Sequence, residues 1–131
     1  MASLVSIVVR THNAEAYLPT LLQSIRAQGY QNWEIVAVLH KCSDHSEKIL
    51  RAAGARIVLY PSDTVFNYSR ALNLGAEAAR GKYLLNLSSH VEFVENNSIE
   101  QMVHYLEQEK FAAITIRRRF KGERYTKVES V

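Results

Sequence analysis

At 131 residues, with 47% hydrophobic and 22% charged side chains, the chain has the size and composition of one globular domain or a piece of one, which excludes a disordered or fibrous sequence. Its net charge of +3 is too mild to argue for a polyanionic partner, and the single cysteine, Cys42, excludes a disulfide framework and suits a reducing compartment. No apolar run approaches a membrane span, and the opening MASLVSIVVRTHN lacks the basic flank and cleavage site of a signal peptide, so a soluble, cytoplasmic chain is expected.

Strand-like and helix-like patterns alternate. LVSIVV (4–9) is a short β-branched run, apolar throughout as a strand covered on both faces should be. Leu18, Leu21, Leu22 and Ile25 then recur at helical spacing, and Asn13 ahead of them reads as an N-cap. The turn GYQN (29–32) leads into a second strand, WEIVAVL (33–39). A helix is expected over about 44–53, with Asp44 and Glu47 at capping-box spacing and Gly54 as its stop. ARIVLY (55–60) reads as a third strand, ended by Pro61. The stretch 67–80 predicts a helix with Ala71, Leu74, Gly75 and Ala78 on one face and Gly81 at its end. KYLLNL (82–87) is a fourth strand. Ser98 and Gln101 form a second capping-box pair, heading a helix over about 98–109 with Ile99, Met102, Val103 and Leu106 as its stripe. FAAITIRR (111–118) predicts a last strand, and the tail beyond it is polar and unpatterned.

This β-α-β-α-β-α-β-α-β order shows no repeat, linker or low-complexity segment. It predicts a single domain, an α/β fold in the form of a three-layer α/β/α sandwich around a Rossmann-like, mostly parallel sheet. In such sheets ligands bind outside the carboxyl ends of the strands, where strand order reverses. The residues to examine are therefore 10–15, 39–44, 61–70 and 88–92.

The stretch VSIVVRTHNAEAYLPTLLQSIRAQGYQNWEIVAV resembles the opening of family 2 glycosyltransferases of the GT-A type. Their usual form is a strand ending in Pro-Thr-Tyr-Asn, a helix, a Gln-x-Tyr turn, and a strand ending in an Asp. FNYSRALNLGAEAARGKYLLNLSSH is similar to their next block, a helix leading through ARG-x-Y into the strand that carries an Asp-x-Asp motif. The likeness covers about residues 4–93. It implies a nucleoside-diphosphate-sugar donor at the switch point, transfer to a hydroxyl acceptor, and Mg²⁺ or Mn²⁺ held by the Asp-x-Asp.

The departures are specific. Arg10 and His12 replace the usual Pro and Tyr around Thr11 and Asn13, Leu39 stands where the first nucleotide-contacting Asp is expected, and Ser88-Ser89-His90 stands for Asp-x-Asp. Some family members resemble this with a Ser at the first position or a Ser-Ala-His version of the motif. No catalytic base is recognisable after residue 93, where Glu95, Glu100, Glu107 and Glu109 read as loop or helix-surface residues. The chain is therefore expected to be the donor-binding part of a longer protein or a relative without the base.

By the resemblance, Thr11, His12, Asn13 and Glu15 after the first strand would line the donor nucleotide pocket. Asn13 as a cap and Glu15 as an acid in a first helical turn are the plainer readings. His40 and Asp44 beyond the second strand are the other donor-nucleotide candidates, against a solvent-exposed histidine and a helix cap. Lys41 would face phosphate or solvent, and Cys42 reads as a small buried residue rather than a nucleophile. Arg70 and Asn73, near the start of the third helix, are placed at the diphosphate, because arginine's planar fork and a helix N-terminus both suit phosphate oxygens.

Three readings compete for Ser88, Ser89 and His90. His90 as a metal ligand is the weakest, since hard ions prefer anionic oxygens to one imidazole and two hydroxyls. Direct hydrogen bonding of Ser88 and His90 to the diphosphate is preferred, and a catalytically dead strand end stands between them. The basic stretch IRRRFKGER (116–124) reads as a solvated strand end, with peripheral contact to the inner membrane surface as its functional reading; nothing suggests nucleic-acid binding. The expected function is transfer of a sugar from a nucleoside-diphosphate sugar to a saccharide or lipid-linked acceptor, with inversion, in polysaccharide or glycoconjugate synthesis. The alternative is a silent GT-A-like domain that binds a nucleotide or a protein partner. A dinucleotide enzyme is disfavoured, because VVRTHNAEAY stands where a G-x-G-x-x-G would follow the first strand.

Overall fold

The computed structural model describes residues 2–61 and 65–115. Its elements are β1 (Val5–Thr11), α1 (Leu18–Arg26), β2 (Trp33–Leu39), α2 (Ser46–Ala52), β3 (Arg56–Leu59), α3 (Tyr68–Ala78), β4 (Tyr83–Ser88) and α4 (Ser98–Glu107). The strands form one sheet in the order β3-β2-β1-β4, and every pairing is parallel. The α/β class and the Rossmann-like sheet expected from the alternating pattern are what the chain adopts.

Alternate residues of β1 feed two cores. Val5, Ile7 and Val9 pack with Leu18, Leu21, Leu22 and Ile25 of α1, Leu50 of α2, and Ile99 and Val103 of α4. Val8 packs with Val36, Val38 and Ala71 on the other face, where α3 lies. Three helices thus cover one face and α3 covers the other, giving three layers. Ile7, Val8 and Val9 are wholly buried, and each such side chain contributes about 1.5–3 kcal/mol over its exposed state. α3 approaches closely because Gly75 has no side chain: a Cβ there would lie 2.4 Å from Val8 Cγ1.

Below the sheet, at the amino ends of its strands, a polar knot fixes the turn into β4. Ser6 Oγ donates to Glu34 Oε2 at 2.6 Å, and accepts the Gly81 amide at 2.8 Å. Glu34 also accepts the Arg80 amide at 2.7 Å and pairs with Arg56 at 3.0 Å. The ARG-x-Y stretch is therefore a structural signature here: Gly81 is required because a Cβ would sit 2.6 Å from Ser6 Oγ and 2.7 Å from Leu4 O.

Several local expectations are corrected. Asn13 does not cap α1; the N-cap is Tyr17, and Pro19 occupies the first turn, where its missing N–H costs nothing. Ala14 O accepts the Tyr17 and Leu18 amides, so a separate turn intervenes between Asn13 and the helix. The Asp44–Glu47 box does not form either. The helix starts at Ser46, Asp44 Oδ1 accepts the Ser46 amide at 2.9 Å, and Glu47 pairs forward with Arg51 at 3.4 Å. The Ser98–Gln101 box is absent: the N-cap is Asn97, Ser98 Oγ donates to Glu95 O, and the Gln101 amide is taken by Asn97 O. Gly54 does stop α2, with φ 81°, and Asn67 caps α3 by accepting the Arg70 amide at 3.0 Å. Of the expected fifth strand, residues 111–115 form no strand and 116–118 lie outside the described residues. A strand exists only where a neighbour takes its backbone bonds, and no described strand pairs with that segment or with the outer edge of β4.

Candidate functional site

The carboxyl ends of β1, β2 and β4 bring the predicted residues to one edge of the sheet. The loops after β1 and β2 are stitched together. Asn13, in a left-handed conformation at φ 43°, accepts the Ser43 amide at 2.7 Å and the Asp44 amide at 3.3 Å through Oδ1. Asp44 Oδ2 in turn accepts the Glu15 amide at 3.0 Å. Ser46 Oγ accepts the Ala14 amide at 2.9 Å, and Glu15 Oε1 meets His45 Nδ1 at 2.8 Å. Asp44 is held below the usual carboxylate value by hydrogen bonds from the Ser46 hydroxyl, against burial, and then by the Ser46 and Glu15 amides. Asn13, Glu15 and Asp44 therefore already serve each other.

Thr11 ends β1 with 2% exposure, and its Oγ1 is buried without a partner among the described residues. Its carbonyl accepts the His40 amide at 2.9 Å and lies 3.5 Å from Cys42 Sγ. His12 is exposed, with Nδ1 2.8 Å from His40 O. His40 is half-buried against Phe66 and Tyr60, at ring-centroid distances of 4.8 and 5.2 Å. Its Nε2 is buried with no partner among the described residues. Burial, reinforced by Lys41 and His12, pushes the His40 pKa down from its ordinary value, so the ring is neutral at pH 7. Burial likewise pushes the Cys42 thiol up, in keeping with a packed residue.

The diphosphate candidates divide between the two faces. Arg70, in the first turn of α3, places its guanidinium 5.7 Å from the Tyr60 ring, and Asn73 is exposed one turn further along. His90 turns the other way, edge-on to Tyr17 at 4.5 Å beside the head of α1. There it borders an open cavity of about 190 Å³ with Ala16, Thr20 and Glu92. Ser88 lies between the faces, its Oγ 3.3 Å from the His90 amide, while Ser89 is buried. Sequence reasoning passed over the aromatic wall of Tyr60, Phe66 and Tyr68. Arg10 stands out in the sequence only as a departure, a lone cation near the end of an apolar strand.

The end of β4 offers two hydroxyls and one imidazole where the resemblance implies a carboxylate pair. Among the described residues no group of three or more His, Cys, Asp or Glu could hold a metal ion. That donor set does not fit Mg²⁺ or Mn²⁺, which favour anionic oxygens. Glu95, Glu100, Glu107 and Glu109 are exposed, as expected for loop and helix-surface residues. No helix among the described residues is long and apolar enough to cross a membrane. The basic stretch 116–124 lies outside the described residues.

A parallel sheet whose polar groups converge at the switch point defines a Rossmann-like domain of the kind that binds nucleotides. The family model for glycosyl transferase family 2 matches residues 6–130, and the chain belongs to that family. It is 31% identical over 119 residues to glycosyltransferase GlyG of Streptococcus pneumoniae, a match that takes in 88% of this chain and 39% of GlyG. It is 29% identical over 94 residues to the Escherichia coli UDP-Glc:α-D-GlcNAc-diphosphoundecaprenol β-1,3-glucosyltransferase WfgD, covering 71% of this chain and 37% of WfgD. Its fold is similar to that of mannosyltransferase PcManGT from Pyrobaculum calidifontis, solved with GDP-Man and Mn²⁺. That similarity has a TM-score of 0.69 and 18% identity, over 81% of this chain and 33% of PcManGT. The chain thus spans well under half the length of these relatives.

Proposed function

We propose that this chain is the donor-binding portion of a glycosyltransferase that takes a sugar from a nucleoside diphosphate and passes it to a hydroxyl acceptor. The observation that carries the reading is the family match over residues 6–130, combined with the placement of Arg10, His40 and Ser88 at or just past the carboxyl ends of β1, β2 and β4 and of Arg70 in the first turn of α3. In this reading the nucleobase lies by His12 and His40 against the Tyr60–Phe66 wall, where the buried His40 Nε2 supplies an unused polar atom. Thr11, Asn13, Glu15 and Asp44 shape that pocket chiefly by fixing its two loops. Arg70, Asn73, Ser88 and His90 serve the diphosphate.

The reaction is a displacement at the anomeric carbon. The acceptor oxygen forms the new C–O bond, the bond to the diphosphate oxygen breaks, and the nucleoside diphosphate leaves with that electron pair. The acceptor proton passes to a base that none of the described residues is assigned to supply. Inversion follows from a single in-line attack. The names of WfgD and PcManGT support a UDP- or GDP-linked sugar, and that of WfgD supports a lipid-linked acceptor. A second reading, binding of nucleotide without turnover, is favoured by the missing carboxylates at the end of β4.

Thermal-shift titration of the 131-residue chain with UDP-, GDP- and dTDP-sugars and with NAD tests the donor site. Stabilisation by at least one nucleotide sugar, absent with NAD and reduced in His40→Ala, is expected. Stabilisation by NAD alone, or by none of these ligands, would sink the reading.

A further inference from the structure

We infer that Arg10 occupies the place of a metal ion at this site, so that the chain binds a nucleoside diphosphate without a divalent cation. The inference rests on the donor-site reading above and adds to it a residue and a charge mechanism.

Arg10 and Ser88 are the last in-register pair of the β1–β4 ladder. The Arg10 side chain lies on the α3 side, its guanidinium 4.1 Å over the Tyr68 ring, while Ser88 Oγ sits beside it at the strand end, 3.3 Å from the His90 amide. β1 runs on toward α1 on one face while α3 feeds β4 from the other, so the gap between these strand ends is the switch point of the sheet. The two departures from the family pattern, Arg for Pro at position 10 and Ser for Asp at position 88, therefore meet on one rung. A negative charge is removed and a positive one added at the same place.

The charge is also unspent. Among the described residues the ion pairs join Glu15, Glu34, Glu47 and Glu107 to other bases, and none involves Arg10. Its Nε is buried without a hydrogen-bond partner among the described residues. A stacked guanidinium keeps its in-plane N–H groups available, and these match two phosphate oxygens at once. With a neutral serine beside it instead of a carboxylate, a diphosphate can approach the strand ends directly. In a carboxylate site a divalent ion must first cancel the repulsion.

Calorimetric titration of UDP, GDP and dTDP into the chain, in EDTA and then in Mn²⁺, tests this, with uridine, guanosine and thymidine as phosphate-free controls. One diphosphate is expected to bind equally well in both buffers. Arg10→Gln should weaken it about tenfold or more while leaving the nucleoside unchanged, and Arg10→Lys should fall between. Ser88→Asp, which sets a carboxylate beside Arg10, should weaken binding in EDTA and make it respond to Mn²⁺, and it carries the test if Arg10→Gln does not fold. Binding only in Mn²⁺, or diphosphate affinity untouched in both variants, overturns the inference while leaving the donor site intact. No binding by the wild-type chain in either buffer removes the donor site and the inference together.

Discussion

Gln28 Oε1 accepts the Ile99 amide at 3.1 Å, across 71 residues of sequence, while its Nε2 donates to Glu95 O at 2.6 Å. One buried carboxamide thus caps α4 and ties down the segment that follows Ser88-Ser89-His90. Beside it, the Gly29 amide bonds Asn96 O at 2.7 Å and Ser24 Oγ accepts the Phe93 amide at 3.0 Å. The Gln of the Gln-x-Tyr turn is therefore a clamp between distant segments. Gln28→Leu leaves the buried Ile99 N–H without a partner, at about 1–3 kcal/mol, and frees the exposed Glu95 carbonyl. Urea denaturation should show a loss of at least about 1 kcal/mol on that account, and a loss below about 0.5 kcal/mol, the size of an ordinary surface change, would refute the clamp.

Gly81→Ala should be more damaging than an ordinary surface glycine substitution. Its Cβ meets backbone at 2.7 Å as well as Ser6 Oγ at 2.6 Å, and backbone cannot rotate away. Overpacking of this kind costs about 1–3 kcal/mol. Gly54→Ala is the contrast: nothing lies within 4 Å, and only the positive φ of 81° resists it. Equal midpoints for Gly81→Ala and wild type in thermal melts would contradict the packing.

Glu34 gives the fold a definite acid dependence. Burial alone would raise its pKa, but hydrogen bonds from Ser6 and the Arg80 amide, with Arg56 alongside, hold it below the ordinary 4.5. A depressed carboxylate stabilises the fold fully above its unfolded value, and that contribution is lost as pH falls through the folded one. Stability should therefore drop as the pH is lowered from about 4.5, and the slope should flatten in Glu34→Gln. It will not vanish, because Glu107, set to about 2 by the Ser3 hydroxyl, Lys82 and Tyr83, titrates in the same window. An unchanged slope in urea midpoints measured from pH 6 to pH 3 would remove Glu34 from this role.

Cys42 should react sluggishly with thiol reagents. It packs on the core below the Thr11 carbonyl, and burial keeps its thiol protonated near neutral pH. Alkylation by iodoacetamide at pH 7.5 is expected to run at least about tenfold slower in the native chain than in urea. Equal rates would mean that the loop after β2 opens freely.

Sequence alone determined the alternation of elements and the buried faces of α1, α3 and α4. The period of Leu18, Leu21, Leu22 and Ile25, and the β-branched run of β1, leave one way to hide apolar surface between layers. It also marked the strand ends where polar residues gather. The caps were decided by tertiary structure, because an amide at a helix end donates to any oxygen that reaches it. At the head of α4, Gln28 takes the Ile99 amide and Asn97 O takes the Gln101 amide, while the Ser43 and Asp44 amides claim Asn13 away from α1. The expected strand at 111–118 depended on a neighbour that local pattern cannot supply. Register, too, lies beyond local pattern: Arg10 and Ser88, 78 positions apart, become one rung only once β4 is laid beside β1. A positive charge gained at one strand end then becomes legible beside the loss of a carboxylate at the other.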